Sequence, residues 1–171
     1  MQGGGPFFSA NRKCLMGKTL YRVQCLGVSC RASRAEERVR PVAIEGVGVD
    51  LVELDRIRGA LERHGERFLD RILTAGEREY CYRRRDPVPH VAARFAAKEA
   101  VVKALGTGFA HGIWIRDVGV ASNAWGRPEI IWSDRGRALR DQLGAGEGHV
   151  TLTDEAGLMV AVAVLMRKES K

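Results

Sequence analysis

The sequence predicts a single α+β domain in which helices are grouped between antiparallel strands. A strand rich in β-branched residues comes first, helical segments then follow one another, and two later pairs of short apolar runs are each joined by a turn-rich loop. Strands and helices that are grouped along the chain, and do not alternate, are typical of α+β proteins. The predicted order of elements is β-ααα-ββ-α-ββ.

The first forty residues differ in charge from the rest of the chain. They hold eight basic and two acidic residues, a net charge of +6, whereas all 171 residues together have a net charge of +7. We predict that residues 1–40 are a poorly ordered basic extension that the fold does not require, and that residues 41–171 form the folded domain. Because this domain is nearly neutral, we expect no nucleic-acid partner.

The composition is that of a soluble protein from a reducing compartment. No segment approaches the roughly 20 apolar residues of a membrane-spanning helix, and the longest apolar run, Leu158 to Met166, is predicted to be a buried strand. Three of the four cysteines lie in the extension, without a Cys-x-x-Cys pair, and only Cys81 belongs to the domain. We therefore expect a cytoplasmic location, no disulfide framework and no membrane partner.

The first predicted strand, Val42–Val52, contains one anomalous residue. Its β-branched residues favour a strand, and its glycines indicate that the backbone passes close to another element. Asp50 is a single carboxylate among valines and leucines near the end of this strand. It is either the N-cap of the next helix or a functional carboxylate.

The next segment, Glu53–His64, has a helical composition and ends at Gly65. Arg56 lies on this helix, and Arg67 and Arg71, four residues apart, share a face after it. Such arginines commonly form a solvated surface. They also suit an acidic protein partner, because guanidinium groups bind carboxylates through paired hydrogen bonds.

The second predicted helix starts at a capping box. Thr74 and Glu77 have the Thr-x-x-Glu spacing in which each side chain satisfies a backbone donor of the other residue, and the helix is predicted to run to about Arg85. Pro87 and Pro89 are then expected to break the chain before the next helix.

The third helix, predicted from Val91 to Leu105, has an unusual charge pattern. It is rich in good helix formers, and Gly106 follows at the position of a left-handed C-terminal cap. Glu99 lies on the flank of its apolar stripe, where a carboxylate is costly unless it is neutralised. Lys103 is four residues further on and Lys98 is adjacent, so an ordinary helix with surface ion pairs is one interpretation.

The rest of the chain is predicted to form two hairpins around a fourth helix. The first hairpin joins strands at Ile113–Val120 and Glu129–Trp132, and the helix is predicted over Ser133–Leu143. The second hairpin joins His149–Thr153 to Leu158–Met166.

Asp50 and Glu99 are carboxylates in costly positions, and together they suit a magnesium ion. Magnesium is usually held by one or two carboxylates, while water and phosphate oxygens complete its octahedral shell. Nearby lysines and a glycine-rich loop would then face phosphate. These residues are Lys98, Lys103, Gly106, Thr107 and Gly108. Two acids and two lysines also occur together by chance, so this spacing alone leaves the ion-pair interpretation open.

Five segments resemble the successive signatures of the holo-acyl-carrier-protein synthase family. The match runs from about Ile44 to Val164, which is the whole chain apart from its extension, and the Phe-x-x-Lys-Glu-Ala block is a specific motif. The segments are Gly46–Asp50, Arg56–Ile57, Arg71–Glu77, Arg94–Gly108 and Gly126–Pro128.

This resemblance implies a 4'-phosphopantetheinyl transferase fold and a transferase that acts in fatty acid biosynthesis. The family moves the phosphopantetheine arm of coenzyme A to a serine of apo acyl carrier protein and releases adenosine 3',5'-bisphosphate. The resemblance implies that Asp50 and Glu99 bind magnesium, and that Lys103 and Lys98 stabilise charge on the nucleotide side. The attacking hydroxyl would belong to the carrier protein, and a carboxylate or a water on the metal would accept its proton.

The resemblance also implies partners. Arg56, Arg67 and Arg71 would contact the acidic carrier protein, and the chain would form a homotrimer with active sites between neighbouring subunits. In one respect the sequence departs from the family, which often has Ser or Thr followed by His near the last hairpin. Here Thr153 is followed by Asp154, and an ionised carboxylate cannot donate a hydrogen bond to a phosphate.

Two alternatives differ from this interpretation. One is magnesium-dependent transfer to a peptidyl or polyketide carrier domain. The other is a non-catalytic module that binds acidic proteins through its arginines. Asp50 argues against such a module, because binding alone gives no use for a carboxylate in an apolar strand.

Overall fold

The computed structural model describes residues Cys14–Met16, Thr19–Tyr21 and 43–169. The chain divides into two compact units, Met1–Val39 and Arg40–Lys171. In the first unit the described residues form one antiparallel ribbon of β1 (Cys14–Met16) and β2 (Thr19–Tyr21). The remainder of the predicted extension lies outside the described residues, so its lack of order stays a prediction.

The second unit has the predicted α+β class, with two antiparallel hairpins late in the chain. Its described residues form five strands and five helices in the order β-αααα-ββ-α-ββ, with one 3₁₀ turn at Ile115–Asp117. In chain order the elements are β3 (Ile44–Glu53), α1 (Leu54–His64), α2 (Glu66–Ile72), α3 (Ala75–Tyr82), α4 (Val88–Ala104), β4 (Val118–Ser122), β5 (Pro128–Trp132), α5 (Asp134–Gln142), β6 (Ala145–Glu155) and β7 (Leu158–Arg167).

Two features of the predicted helical group are corrected. Gly65 adopts a φ of 52° after α1 and the chain immediately begins α2, so four helices and not three precede the first hairpin. The helix α4 begins at Val88, three residues before the predicted Val91. Pro89 does not break it, because the N–H that proline lacks has no intrahelical partner in the first turn.

A three-stranded antiparallel sheet in the order β3-β7-β6 forms one layer of the domain. Along β3, Gly48 and Val52 are buried on the inner face, whereas Val47, Val49 and Leu51 are each more than half exposed on the outer face. The strands β4 and β5 form a separate two-stranded sheet. The large sheet therefore has one covered face and one bare apolar face.

The helix α4 covers the inner face of this sheet and is the centre of the core, since twelve of its seventeen residues are buried. A Cβ on Gly46 would lie 1.9 Å from the carbonyl oxygen of Ala104, and one on Gly48 would lie 2.0 Å from that of Ala100. Only glycine permits so close an approach of strand to helix. Among the described helices, none combines the length and the apolarity needed to cross a membrane.

We predict that Gly48→Ala destabilises the domain, because its methyl group would overlap the backbone of α4. Overpacking of a core typically lowers the free energy of unfolding by about 1–3 kcal/mol. Here the added methyl group would meet backbone atoms of α4, which have little room to move. Gly76→Ala in α3 is the matched control, since no atom lies within 4 Å of its added Cβ. It should leave stability unchanged or raise it by up to about 1 kcal/mol. Urea unfolding followed by circular dichroism measures both, and equal stability of Gly48→Ala and the parent would contradict the prediction.

Candidate active site

Asp50 lies on the inner face of β3, where it faces α4. Its Oδ1 accepts a hydrogen bond of 2.6 Å from Nζ of Lys103, which also donates to the carbonyl oxygen of Val49 at 3.2 Å. The side chain of Asp50 is 12% exposed and that of Lys103 is 48% exposed. The helix-cap interpretation of Asp50 is wrong, because the N-cap of α1 is Glu53.

Glu99 lies one helical turn before Lys103 on α4 and is half-buried. Burial raises the pKa of Glu99, the negative charge of Asp50 raises it further, and the positive charge of Lys103 opposes both effects. Glu99 and Asp50 are thus close enough to repel each other. Lys103 forms its salt bridge with Asp50. The alternative interpretation from the sequence, a simple surface ion pair between Glu99 and Lys103, therefore does not describe this part of the helix.

Two carboxylates that repel each other at a partly exposed position fit a divalent cation, which would relieve the repulsion. In the part of the chain that the structure describes, no group of three or more His, Cys, Asp or Glu side chains is arranged to hold a metal. Asp50 and Glu99 are the two carboxylates of this site that could serve as protein ligands. Magnesium suits this small set, because it usually keeps several positions for water and phosphate oxygens.

Lys98 does not lie with Lys103, contrary to its predicted place beside the phosphate. Its side chain is fully buried, its Nζ donates to the carbonyl oxygen of Ile72 at 2.7 Å, and it forms a 2.7 Å salt bridge with Glu77. Burial lowers the pKa of Lys98, and the charge of Glu77 counteracts that effect. Lys98 is the cation of a buried ion pair and has no exposed surface in this chain.

Glu77 is the residue whose role the sequence indicated only in part. The predicted capping box is confirmed, with the Thr74 N–H donating to Oε2 of Glu77 at 2.7 Å. The same carboxylate also accepts from the backbone N–H of Val120 at 2.8 Å and binds Lys98. It thereby joins α3, α4 and β4, and these non-local contacts leave no signal in the local sequence.

The loop after α4 closes the helix as predicted, but its backbone donors are already used. Gly106 has a φ of 75°, in agreement with a left-handed cap. Its N–H donates to the carbonyl oxygen of Lys103, and those of Thr107 and Gly108 donate to the carbonyl oxygen of Val102. The predicted cradle of free backbone donors at 106–108 is therefore absent from the described loop. Of the residues predicted to face phosphate, Lys103 has a half-exposed charged side chain.

The three arginines predicted to bind a partner are exposed. Arg56 lies on α1, and Arg67 and Arg71 lie on α2. Within the described residues none of them forms a salt bridge, because the acids of α2, Glu66 and Asp70, pair with Arg78 instead. Their guanidinium groups are thus available to external carboxylates.

Asp154, where the sequence departs from the resembled family, lies on β6 opposite Met159 and is exposed. It lines a cavity of about 380 Å³ together with His90 and Arg94.

Comparisons with known proteins agree with this geometry. Residues 46–156, which include Asp50, Glu99 and Lys103, match the family model of the 4'-phosphopantetheinyl transferase superfamily. The holo-[acyl-carrier-protein] synthase of Maridesulfovibrio salexigens is 43% identical over 122 residues, covering 71% of this chain and 98% of that protein. The synthase of Azoarcus sp. is 46% identical over 122 residues, with coverages of 71% and 97%.

The chain is also similar to solved structures. The crystal structure of holo-[acyl-carrier-protein] synthase from Neisseria meningitidis has a TM-score of 0.68 at 34% identity, covering 71% of this chain and 98% of that one. The synthase from Helicobacter pylori, solved in complex with coenzyme A, has a TM-score of 0.63 at 28% identity, with coverages of 70% and 98%.

Proposed function

The chain belongs to the 4'-phosphopantetheinyl transferase superfamily, and we propose that it transfers the 4'-phosphopantetheine group of coenzyme A to a serine of apo acyl carrier protein. The products are holo carrier protein and adenosine 3',5'-bisphosphate, and the reaction serves fatty acid biosynthesis. Relatives that match this chain over nearly their whole length are named holo-[acyl-carrier-protein] synthase. The observation that carries the proposal is the convergence of Asp50, Glu99 and Lys103 between β3 and α4.

In this reaction the serine hydroxyl of the carrier protein would lose its proton to a carboxylate or a water of the site, and its oxygen forms a bond to the phosphorus that carries pantetheine. The bond between that phosphorus and the bridging oxygen of the pyrophosphate breaks, so negative charge develops on the departing nucleotide. A bound magnesium ion supplies charge neutralisation at the phosphate oxygens. Asp50 and Glu99 would hold that ion, and the half-exposed Lys103 beside Asp50 would stabilise the charge on the nucleotide.

The arginines Arg56, Arg67 and Arg71 are proposed as the docking surface for the acidic carrier protein. They are exposed, they lie on consecutive helices, and within the described part of the chain they have no acidic partner. Ion pairs at the exposed rim of a protein–protein interface mainly affect the rate at which the partners meet and the dependence of that rate on salt.

We further propose that the enzyme is a homotrimer assembled through the bare face of the large sheet. Three apolar residues of β3, Val47, Val49 and Leu51, are each more than half exposed. In register they lie opposite three valines of β7, so the apolar face is continuous across both strands. Those valines are Val164, Val162 and Val160. A contiguous apolar patch of this kind marks an interaction surface.

The proposed location is the cytoplasm. Cys81, the one cysteine of the described domain, is a free thiol in the core, and burial raises its pKa to about 11. A buried, unpaired thiol is compatible with a reducing compartment.

We predict that Asp50→Asn and Glu99→Gln each lower the rate of transfer by about 10²- to 10³-fold while the domain stays folded. The reason is the loss of one preorganised negative group of the proposed metal site. The experiment incubates the protein with coenzyme A, magnesium and apo carrier protein, and mass spectrometry measures one added phosphopantetheine. Glu155→Gln, which neutralises an exposed carboxylate at the end of β6, is the control and should keep full activity.

The same assay tests the alternatives. Undiminished transfer by Asp50→Asn or Glu99→Gln would contradict the metal assignment. No transfer by the parent protein to any carrier would favour a binding module, and transfer only to a peptidyl or polyketide carrier would redirect the substrate assignment.

We predict that Arg56→Glu raises the KM for carrier protein by roughly tenfold with little change in kcat, because a rim charge steers the encounter. Initial rates at varied carrier concentration and two salt concentrations measure the effect, which should shrink at high salt. Arg137→Glu, an exposed arginine of α5, is the matched charge reversal. An unchanged KM for Arg56→Glu would reject this docking surface.

We predict that Val49→Glu converts the trimer to a monomer, because each interface would have to bury an unpaired carboxylate. Size-exclusion chromatography with light scattering measures the mass. Leu143→Glu, at an exposed apolar residue after α5, is the control and should remain trimeric. A parent protein that is monomeric at micromolar concentration would refute the assembly.

A further inference from the structure

We propose that the buried Glu77–Lys98 ion pair holds the carrier-docking helix α2 at a fixed position relative to the proposed metal site. The inference rests on the proposed function. It makes Glu77 and Lys98 positioning residues, which place the serine of the carrier protein without contacting the reacting atoms. The pair lies where α2 ends, α3 begins and α4 passes, so it meets both the helix that carries Arg71 and the helix that carries Glu99.

Lys98 caps the end of α2. Its Nζ donates to the carbonyl oxygen of Ile72 at 2.7 Å, and Ile72 is the last residue of that helix. The last carbonyl groups of a helix lack an intrahelical partner, and the helix dipole favours a cation at this end. Lys98 is 0% exposed and Ile72 is 5% exposed, so water does not compete for this hydrogen bond. The contact therefore fixes α2 directly to α4.

Glu77 fixes the start of α3 with the carboxylate that binds Lys98. Its Oε2 accepts from the N–H of Thr74 at 2.7 Å and from the Thr74 hydroxyl at 2.9 Å, and lies 2.7 Å from Nζ of Lys98. Its Oε1 accepts from the N–H of Val120 at 2.8 Å. Because Ile72 and Thr74 are two residues apart, one ion pair fixes both sides of the turn between α2 and α3.

The residues next to these contacts along the chain are the proposed functional ones. Arg71, proposed to dock the carrier, immediately precedes Ile72, and Glu99, proposed to bind the metal, immediately follows Lys98. The hydrogen bond between Lys98 and Ile72 thus connects the two sites. A shift of α2 against α4 would move a carrier docked on Arg71, and its serine, relative to the metal.

Stability alone does not require charges at this position. Replacement of a buried ion pair by apolar residues of similar volume is often neutral or stabilising, because desolvation of the charges offsets their attraction. The side chains of Leu69 and Ile72 already pack α2 into the core. Apolar packing is non-directional, whereas hydrogen bonds act over a narrow range of distance and angle. The pair therefore adds accuracy of position, and a misplacement of about 1 Å can lower a reaction rate by about 10²-fold.

The test removes both charges, because removal of one would leave the other buried and unpaired. The double variant Glu77→Gln/Lys98→Met nearly preserves the side-chain volumes. It should stay folded by circular dichroism and lower kcat by about 10- to 10²-fold, while the KM for carrier changes by less than about threefold. A kcat equal to that of the parent protein would overturn the proposal.

A second capping ion pair provides the matched control. Asp117 caps the 3₁₀ turn and binds Arg135 of α5, away from the turn between α2 and α3. Asp117→Asn/Arg135→Met should therefore keep kcat within about threefold of the parent value. An equal loss of kcat in both double variants would show that loss of any such pair lowers activity, and would reject a specific positioning role.

A measurement of position separates this role from general stability. Mn²⁺ replaces Mg²⁺ as the probe, adenosine 3',5'-bisphosphate is present, and ¹⁵N-labelled apo carrier is added to saturation. Because paramagnetic Mn²⁺ broadens the signals of nearby nuclei, the amide signal of the acceptor serine reports its distance from the metal. We expect strong broadening with the parent protein and clearly weaker broadening with Glu77→Gln/Lys98→Met. Equal broadening would contradict the positioning role.

Two further variants complete the experiment. Asp50→Asn should abolish the broadening; if it does not, the metal site of the proposed function is wrong, and this inference fails with it. If the double variant does not fold, Glu77→Asp takes its place, because it keeps both charges but withdraws the carboxylate by one methylene. Glu77→Asp should weaken the serine broadening and lower kcat in the same direction. Parent values of both quantities in folded Glu77→Asp would overturn the proposal.

Discussion

The active-site geometry depends on the contact between β3 and α4. Gly46 and Gly48 allow the strand to rest on the backbone of α4 at Ala104 and Ala100. Lys103 and Glu99 are the residues that immediately precede these two alanines, so each helical turn places one small residue in the contact and one charged residue at its edge. Asp50 follows Gly48 by two residues and therefore points to the same face of the strand. A larger residue at position 46 or 48 would separate the three charged groups.

Because successive residues of a helix are rotated by about 100°, three consecutive residues of α4 lie in three different environments. Lys98 enters the core and pairs with Glu77, Glu99 lies at the partly exposed edge where the charge of Asp50 raises its pKa, and Ala100 packs on Gly48. The buried pair joins α4 to α3 and, through Val120, to β4. The carboxylate that we assign to the metal therefore lies on a helix fixed from two sides, which suits the preorganisation that charge stabilisation requires.

The sequence predicted those features that local chemistry determines. The capping box at Thr74 and Glu77, the left-handed Gly106 and the two late hairpins are each specified by a few neighbouring residues, and all are confirmed. The bounds of the first hairpin are corrected, because its first strand begins at Val118 and not at the predicted Ile113, and Ile115–Asp117 forms a 3₁₀ turn. The direction of Lys98 was not predictable, because the helical pattern allowed either lysine to face the carboxylates. The donors of 106–108 were misassigned because the sequence does not indicate which carbonyl groups a loop satisfies.

The outer face of the large sheet connects the proposed assembly to the proposed site. An antiparallel sheet with one free face normally alternates apolar residues inside with polar residues outside. Here the outer residues of β3 include Val47, Val49 and Leu51, and valines lie opposite them on β7, whereas the outer residues of β6 include Thr151 and Thr153. A neighbouring subunit would therefore cover β3 and β7. Asp50 lies between Val49 and Leu51 on β3, so a subunit docked on those two side chains would also hold the residue that we propose as a metal ligand in place. Assembly and catalysis would then depend on the same strand.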